Sequence, residues 1–337
     1  MRHRNLRSLS RVATVVLALF ACFNADRASA YCRMTTDDEP QVGNTACAET
    51  GEPLIWNHPC LPYAIDRRGS FWMDDADIEN AVNAAFETWE EAECPGGGTP
   101  NLVFKPSMMP STCKRAEFNT TGNVNTIAFL DPWEDPCADE LGRPPYEPLA
   151  FAVTIVWSNT NTGEILDADM MINDQPATMD NAGGPYADCP DTGCEGDDDA
   201  DLRSIVTHEA GHFIGIGHCD PDEPGCLRAT MYFRADRSSL DKRTLEQDDI
   251  NAVCDIYPPG NLEESCDATP VGGLLLNCET TAAGEKIACD APGSTSNGGG
   301  CSASAARAPA ETLWATFAAL LGLTVMRRRS GRRGARS

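Results

Sequence analysis

Three of the chain's five histidines fall within eleven residues, in the run His208-Glu209-Ala210-Gly211-His212-Phe213-Ile214-Gly215-Ile216-Gly217-His218. On a helix, His208 and His212 stand four apart and share a face, so two imidazoles can grip one metal ion. Gly215 is free to take the positive φ that a side chain resists, which lets the chain turn sharply and return His218 as a third ligand. Three neutral nitrogens with a fourth position left to water is the donor set of a catalytic zinc; a structural zinc has all four positions closed by protein. Glu209, beside the first ligand, is placed to accept a proton from water on the metal. The chemistry this predicts is hydrolysis by a metal-activated water. The plain alternative is a buried helix with satisfied core histidines, and three histidines in one pattern argue against it.

The elements that must position these residues are legible in the apolar periodicity. Leu202, Ile205 and Val206 keep helical spacing, which predicts a zinc helix running to about Ile214. A second helix is expected from Asp77, with Ile78, Ala81, Val82, Ala85, Phe86 and Trp89 on one stripe. Residues 102–104, 126–130, 151–157 and 165–172 read as strands separated by turn residues. A closing helix is predicted to start at a capping box of Thr244 and Gln247 and to continue through Ile250, Val253, Cys254 and Tyr257 to Pro258-Pro259. Residues 173–201 form a long acidic loop with Asp191, Glu195, Asp197, Asp198, Asp199 and Asp201. A solvated loop ending in a helix N-cap is the first reading; calcium is the second, because hard carboxylate oxygens suit it. Asp167 and Asp169, alternating along a strand, are further calcium candidates, and no register fixes a site.

The flanks point outside the cytoplasm. Arg2, Arg4, Arg7 and Arg11 precede an apolar run from Val12 to Phe20 and a small-residue Ala28-Ser29-Ala30 site, the layout of a secretory signal over residues 1–30. A lipid-attachment reading at Cys22 is the alternative. The formal charge of the chain is −25. The signal carries a net +4 and the tail after Cys301 a net +6, leaving −35 for residues 31–301. Such a surface repels nucleic acid and anionic lipid. Of sixteen cysteines, fourteen remain once Cys22 and Cys301 are set aside, an even number that favours disulfides in an oxidising compartment, with Cys219–Cys226 and Cys189–Cys194 as short pairs. Residues 31–258 form the expected catalytic domain, 259–300 a cysteine-containing extension and Gly-rich linker, and 301–337 a tail. In that tail an apolar segment, 313–326, precedes an arginine cluster.

The motif His208-Glu209-x-x-His212-x-x-Gly215-x-x-His218 resembles the signature of the metzincin zinc proteases. Met231, in Thr230-Met231-Tyr232, stands where that family carries a methionine turn beneath the metal, and Phe233 replaces the tyrosine that supplies an extra ligand in astacin-like members. Trp56, Leu61-Pro62-Tyr63-Ala64-Ile65, Trp89 and Leu102-Val103-Phe104, with Asp248-Asp249-Ile250 and Ile256-Tyr257 at the end, narrow the resemblance to the matrixin group over residues 53–258. That resemblance implies an α+β domain with a twisted, mostly parallel sheet, an antiparallel edge strand along which substrate lies, and long helices including the zinc helix. It implies one catalytic zinc on His208, His212 and His218, Glu209 as general base, and Met231 as support.

Departures are equally plain. Apart from the motif only His3 and His58 remain, so the second, structural zinc of animal matrixins has no ligands here. The interval from His218 to Met231 is longer and holds Cys219 and Cys226, which predicts a disulfide-closed insertion beside the substrate cleft. Cys32 and Cys47 are expected in disulfides, with a thiol cap on the zinc by one of them as the alternative. The tail resembles a myxobacterial-type C-terminal sorting tail. The expectation is a monomeric, secreted or surface-displayed zinc endopeptidase acting on protein or peptide substrates, with no nucleic-acid partner and membrane contact only through the tail. A non-catalytic surface binding module on the same scaffold is the alternative.

Overall fold

The computed structural model describes residues 31–37, 41–42, 47, 50–113, 115–135, 145–196, 198–260, 267–277 and 299–305. The signal segment 1–30, the apolar tail segment 313–326, Asp197 and the extension cysteines Cys266, Cys278 and Cys289 lie outside these residues. Among the described residues no helix is long and apolar enough to cross a membrane.

The strands are β1 (Gln41–Val42), β2 (Cys60–Ile65), β3 (Val103–Pro106), β4 (Thr126–Leu130), β5 (Ala152–Asn159), β6 (Ile165–Asn173), β7 (Tyr186–Ala187), β8 (Ala200–Asp201) and β9 (Gly299–Ala305). The helices are α1 (Asp75–Glu90), α2 (Leu202–Phe213) and α3 (Gln247–Ile256), with short 3-10 turns at Cys226–Arg228 and Asp241–Arg243. Seven strands form one mixed sheet in the order β1-β9-β5-β6-β4-β2-β3, and β7 pairs with β8 separately. The pairs β3–β2, β2–β4 and β4–β6 run parallel, whereas β5 is antiparallel to β6. This mixed, mostly parallel arrangement with few helices is compatible with the expected α+β class.

One detail differs from expectation. The antiparallel strand β5 is not the sheet edge, because β9 pairs antiparallel along its other side from Asn159 to Val153. An open edge presents a row of unpaired N–H and C=O groups, and any extended segment within reach satisfies them. Residues 299–305 are only Gly, Cys, Ser and Ala, with no large apolar or β-branched side chain to announce this strand.

The sheet is covered on both faces, which is why β4 and β5 read as nearly continuous apolar runs. On one face α1 and α2 pack with β2, β3 and β6; at the centre of this core Phe86 stacks on Phe104 and Phe213 meets both rings edge-on. The other face is sealed by a second cluster that includes Phe118, Trp133, Tyr146 and Trp157. Trp89, at the end of α1, donates its indole N–H to the Thr207 carbonyl of α2 (2.8 Å), fixing the two helices in register.

The closing helix starts later than expected. The N-cap of α3 is Glu246, whose backbone N–H is accepted by Asp249 (2.9 Å), rather than Thr244 paired with Gln247. Asp249 also accepts N–H groups from the distant Thr230 and Met231, and this tertiary demand sets the capping register. Cys94, just beyond α1, is bonded to Cys254 of α3, a link across 160 residues that ties the first helix to the last. Cys32–Cys47, Cys189–Cys194 and Cys219–Cys226 are also disulfides, the last two as the spacing predicts. The thiol-cap alternative for Cys32 and Cys47 is thereby excluded.

Candidate metal centre

The zinc helix begins where the acidic loop ends. Asp201 is its N-cap and accepts the Ser204 N–H (2.9 Å), an interaction worth about 1 kcal/mol. Arg243 binds the same carboxylate through two N–H groups (2.7 and 2.5 Å) and reaches Asp188 and the Cys189 carbonyl, so one buried guanidinium pins the loop to the helix start. These contacts hold the Asp201 carboxyl below the usual range in spite of burial. At the other end Trp56 donates to the Phe213 carbonyl (2.8 Å) and Tyr257 to that of Ile214 (3.0 Å). Gly215 has φ +87°, and a Cβ there would lie 2.7 Å from the Leu54 carbonyl oxygen. The turn that returns His218 therefore needs glycine for conformation and for space.

The structure brings His208, His212 and His218 together. One ring nitrogen from each lies within 4.8 Å of the others, and this is the one such group of three among the described residues. All three are buried. His208 Nδ1 bonds the Thr230 carbonyl (2.6 Å) and His212 Nδ1 the Ile216 carbonyl (2.8 Å), so each ring carries its proton on Nδ1 and leaves Nε2 a bare lone pair. His208 Nε2 has no hydrogen-bond partner among the described residues. His212 Nε2 and His218 Nε2 are 3.3 Å apart. Two ligands at zinc–nitrogen distances of about 2.0–2.1 Å in a tetrahedron stand about 3.4 Å from each other, so the separation fits a shared ion. Desolvation holds His208 and His218 well below the ordinary histidine range and brings His212 down to about 4, keeping the rings neutral and able to ligate.

Glu209 is 3 % exposed, and Thr154 of β5 donates its hydroxyl to Oε2 (2.7 Å). Burial pushes the carboxyl up to about 8, against the opposing pull of the Thr154 bond and the Lys242 charge. A cation held by the histidines acts in the same direction as Lys242.

Met231 lies under the helix, fully buried. A Cβ on Gly211 would fall 2.2 Å from its sulfur, so the glycine inside the motif is the floor on which Met231 rests. The Cys219–Cys226 loop joins this base through the Cys219 N–H, which bonds the Met231 carbonyl (3.1 Å). Leu227, Arg228 and Ala229, at the end of that loop, line one wall of a cavity of about 620 Å³ between the start of the zinc helix and the segment after Met231.

Residues 145–258 match the matrixin peptidase family. The stretch is about a third of the chain and holds the three histidines, Glu209 and Met231. It supports a matrixin-like metzincin, a family that implies a catalytic zinc and metalloprotease chemistry. The opening strand and first helix lie ahead of the matched stretch. No curated protein matches the chain.

The acidic candidates do not converge as the histidines do. Asp191 is exposed and pairs with Arg243, and Asp201 serves as the N-cap. Asp167 and Asp169 are fully buried in β6, where Asp169 accepts N–H groups from Thr126 and Glu117 and Asp167 accepts from Asn123. No third acidic ligand joins them among the described residues. Four residues with a part in the site escape sequence reasoning: Thr154, Gly211, Lys242 and Arg243. Gly211 has a signal, since glycine inside a helix costs about 1 kcal/mol and so implies a packing reason. The other three reach the site from β5 and from the 3-10 turn Asp241–Arg243.

Proposed function

We propose that this protein is a zinc-dependent endopeptidase of the matrixin-like type, secreted or displayed on the cell surface. The observation that carries the proposal is the convergence of His208, His212 and His218 around one point, with Glu209 following the first of them in the same buried helix. A bound zinc ion would supply Lewis acidity, polarising the scissile carbonyl and acidifying a water molecule. Glu209 takes the proton from the attacking water and hands it to the leaving amine nitrogen. Thr154 holds Oε2 through its hydroxyl, and the buried surroundings keep bulk water from competing for the carboxylate. Asp201 and Arg243 anchor the helix that carries two of the ligands. Protein or peptide is the substrate, and the cavity beside the disulfide loop offers room for one of its side chains.

The test is metal analysis of the purified protein together with a peptide-cleavage assay. One zinc per chain, activity lost to a chelator and restored by zinc, and activity abolished in Glu209→Gln with zinc retained are the expected results. Cleavage that survives Glu209→Gln would exclude the assigned base. Zinc bound without cleavage of any peptide would favour the binding-module reading.

A further inference from the structure

The 3-10 turn Asp241–Arg243 sends two buried cations to opposite ends of the metal centre. Arg243 goes to the N-cap of the zinc helix, as described above. Lys242, 7 % exposed, goes to the methionine turn, where its Nζ donates to the Thr230 carbonyl (2.8 Å) and to the Tyr232 carbonyl and lies 3.4 Å from His208 Nδ1. Thr230 O is also the acceptor for His208 Nδ1. A peptide carbonyl has two lone pairs. Here one is taken by the proton of a metal ligand and the other by Lys242.

The same three residues are clamped from the opposite side. Asp249 accepts the N–H groups of Thr230 (2.8 Å) and Met231 (3.1 Å), while Lys242 holds the carbonyls of Thr230 and Tyr232. Donors and acceptors of the turn are thus fixed by two buried charges from two different elements. A side chain that only filled this space would be apolar, because burying an ammonium is costly and placing it beside a ring that receives a dication is more so. The geometry points to Lys242 as a positioning residue: by holding the Thr230 and Tyr232 carbonyls it fixes the tautomer and ring plane of His208, the first zinc ligand. This inference rests on the zinc reading of the triad.

Three roles for Lys242 predict three different signs. If it positions His208, its loss weakens zinc binding. If it acts only through its charge, its loss removes a repulsion and tightens zinc binding. If it serves only folding, the affinity of the folded metal-free protein does not change.

The experiment compares the full chain with Lys242→Met and Lys242→Gln, reading the zinc dissociation constant by chelator competition and the visible absorption of the cobalt(II)-substituted protein. Far-UV circular dichroism of the metal-free proteins monitors the fold. The methionine variant is expected to bind zinc about 10- to 100-fold more weakly, as loss of outer-shell partners does, and to shift the cobalt bands. The glutamine variant, which keeps N–H donors without the charge, is expected to fall between. Equal or tighter zinc binding with an unchanged cobalt spectrum overturns the assignment, and if the methionine variant does not fold, the glutamine variant decides by the same criteria. Failure of the native protein to bind zinc would instead remove the metal reading itself, so the two failures are distinguishable.

Discussion

Thr154 of β5 donates its hydroxyl to Glu209 Oε2 of α2 at 2.7 Å, joining a sheet strand to the residue proposed as general base. A hydrogen bond to a charged group is worth about 1.5–3 kcal/mol. Thr154→Val keeps the shape and removes the donor, so kcat for peptide cleavage is expected to fall about tenfold or more while zinc content stays at the native level. An unchanged kcat would show that Glu209 is held by other contacts.

Gly211 and Met231 form a second pair whose sizes are matched. Gly211→Ala gains about 1 kcal/mol of helix propensity but forces Met231 off its seat, and overpacking costs typically about 1–3 kcal/mol. A net loss of up to about 2 kcal/mol in denaturant unfolding is expected. The clash is the cause only if the loss shrinks in the Met231→Ala background, which a double-mutant cycle reads directly.

The disulfides differ in the length of chain they close. In the chain-entropy account, Cys94–Cys254, 160 residues apart, contributes about 5 kcal/mol, and Cys219–Cys226, seven apart, about 2–3 kcal/mol. Serine pairs at 94 and 254 are expected to lower Tm more than serine pairs at 219 and 226. The second pair is expected to alter the ratio of kcat/KM values among peptides, because Leu227, Arg228 and Ala229, which directly follow its loop, line the cavity at the start of the zinc helix. Equal specificity profiles would remove the loop from substrate selection.

Asp167 and Asp169 predict a pH dependence of stability. Burial, followed for Asp167 by the Asp169 charge, raises both carboxyls well above the usual carboxylate range. Above about pH 4 the folded protein therefore binds more protons than the unfolded chain, and the contribution of this pair to stability is lost as pH rises. Asp167→Asn removes one of the two charges. In calcium-free buffer, its Tm at pH 7 is expected to exceed the native value by about 2–4 °C for each kcal/mol gained, with a shallower decline from pH 4 to 7. A variant less stable than native at pH 7 would mean that the Asp167 charge is compensated in the folded protein.

The chemistry of the site is legible in the sequence because it depends on local geometry. Helix pitch puts His208 and His212 on one face, and Gly215 permits the turn to His218, so the ligand set needs only eleven consecutive residues. Strands β4, β5 and β6 announce themselves by apolar runs, and α1 by its stripe. The short disulfides follow from spacing for the same reason. Only the tertiary structure decided which residues support that set. Thr154 lies 55 positions from Glu209, Lys242 34 from His208 and Arg243 42 from Asp201. Their side chains meet the site through the crossing of elements, and no period or spacing encodes such a crossing. The start of α3 moved to Glu246 for the same reason, since Asp249 answers to the methionine turn as well as to its own helix. The covered outer side of β5 likewise depends on where residues 299–305 travel, which a local pattern does not carry.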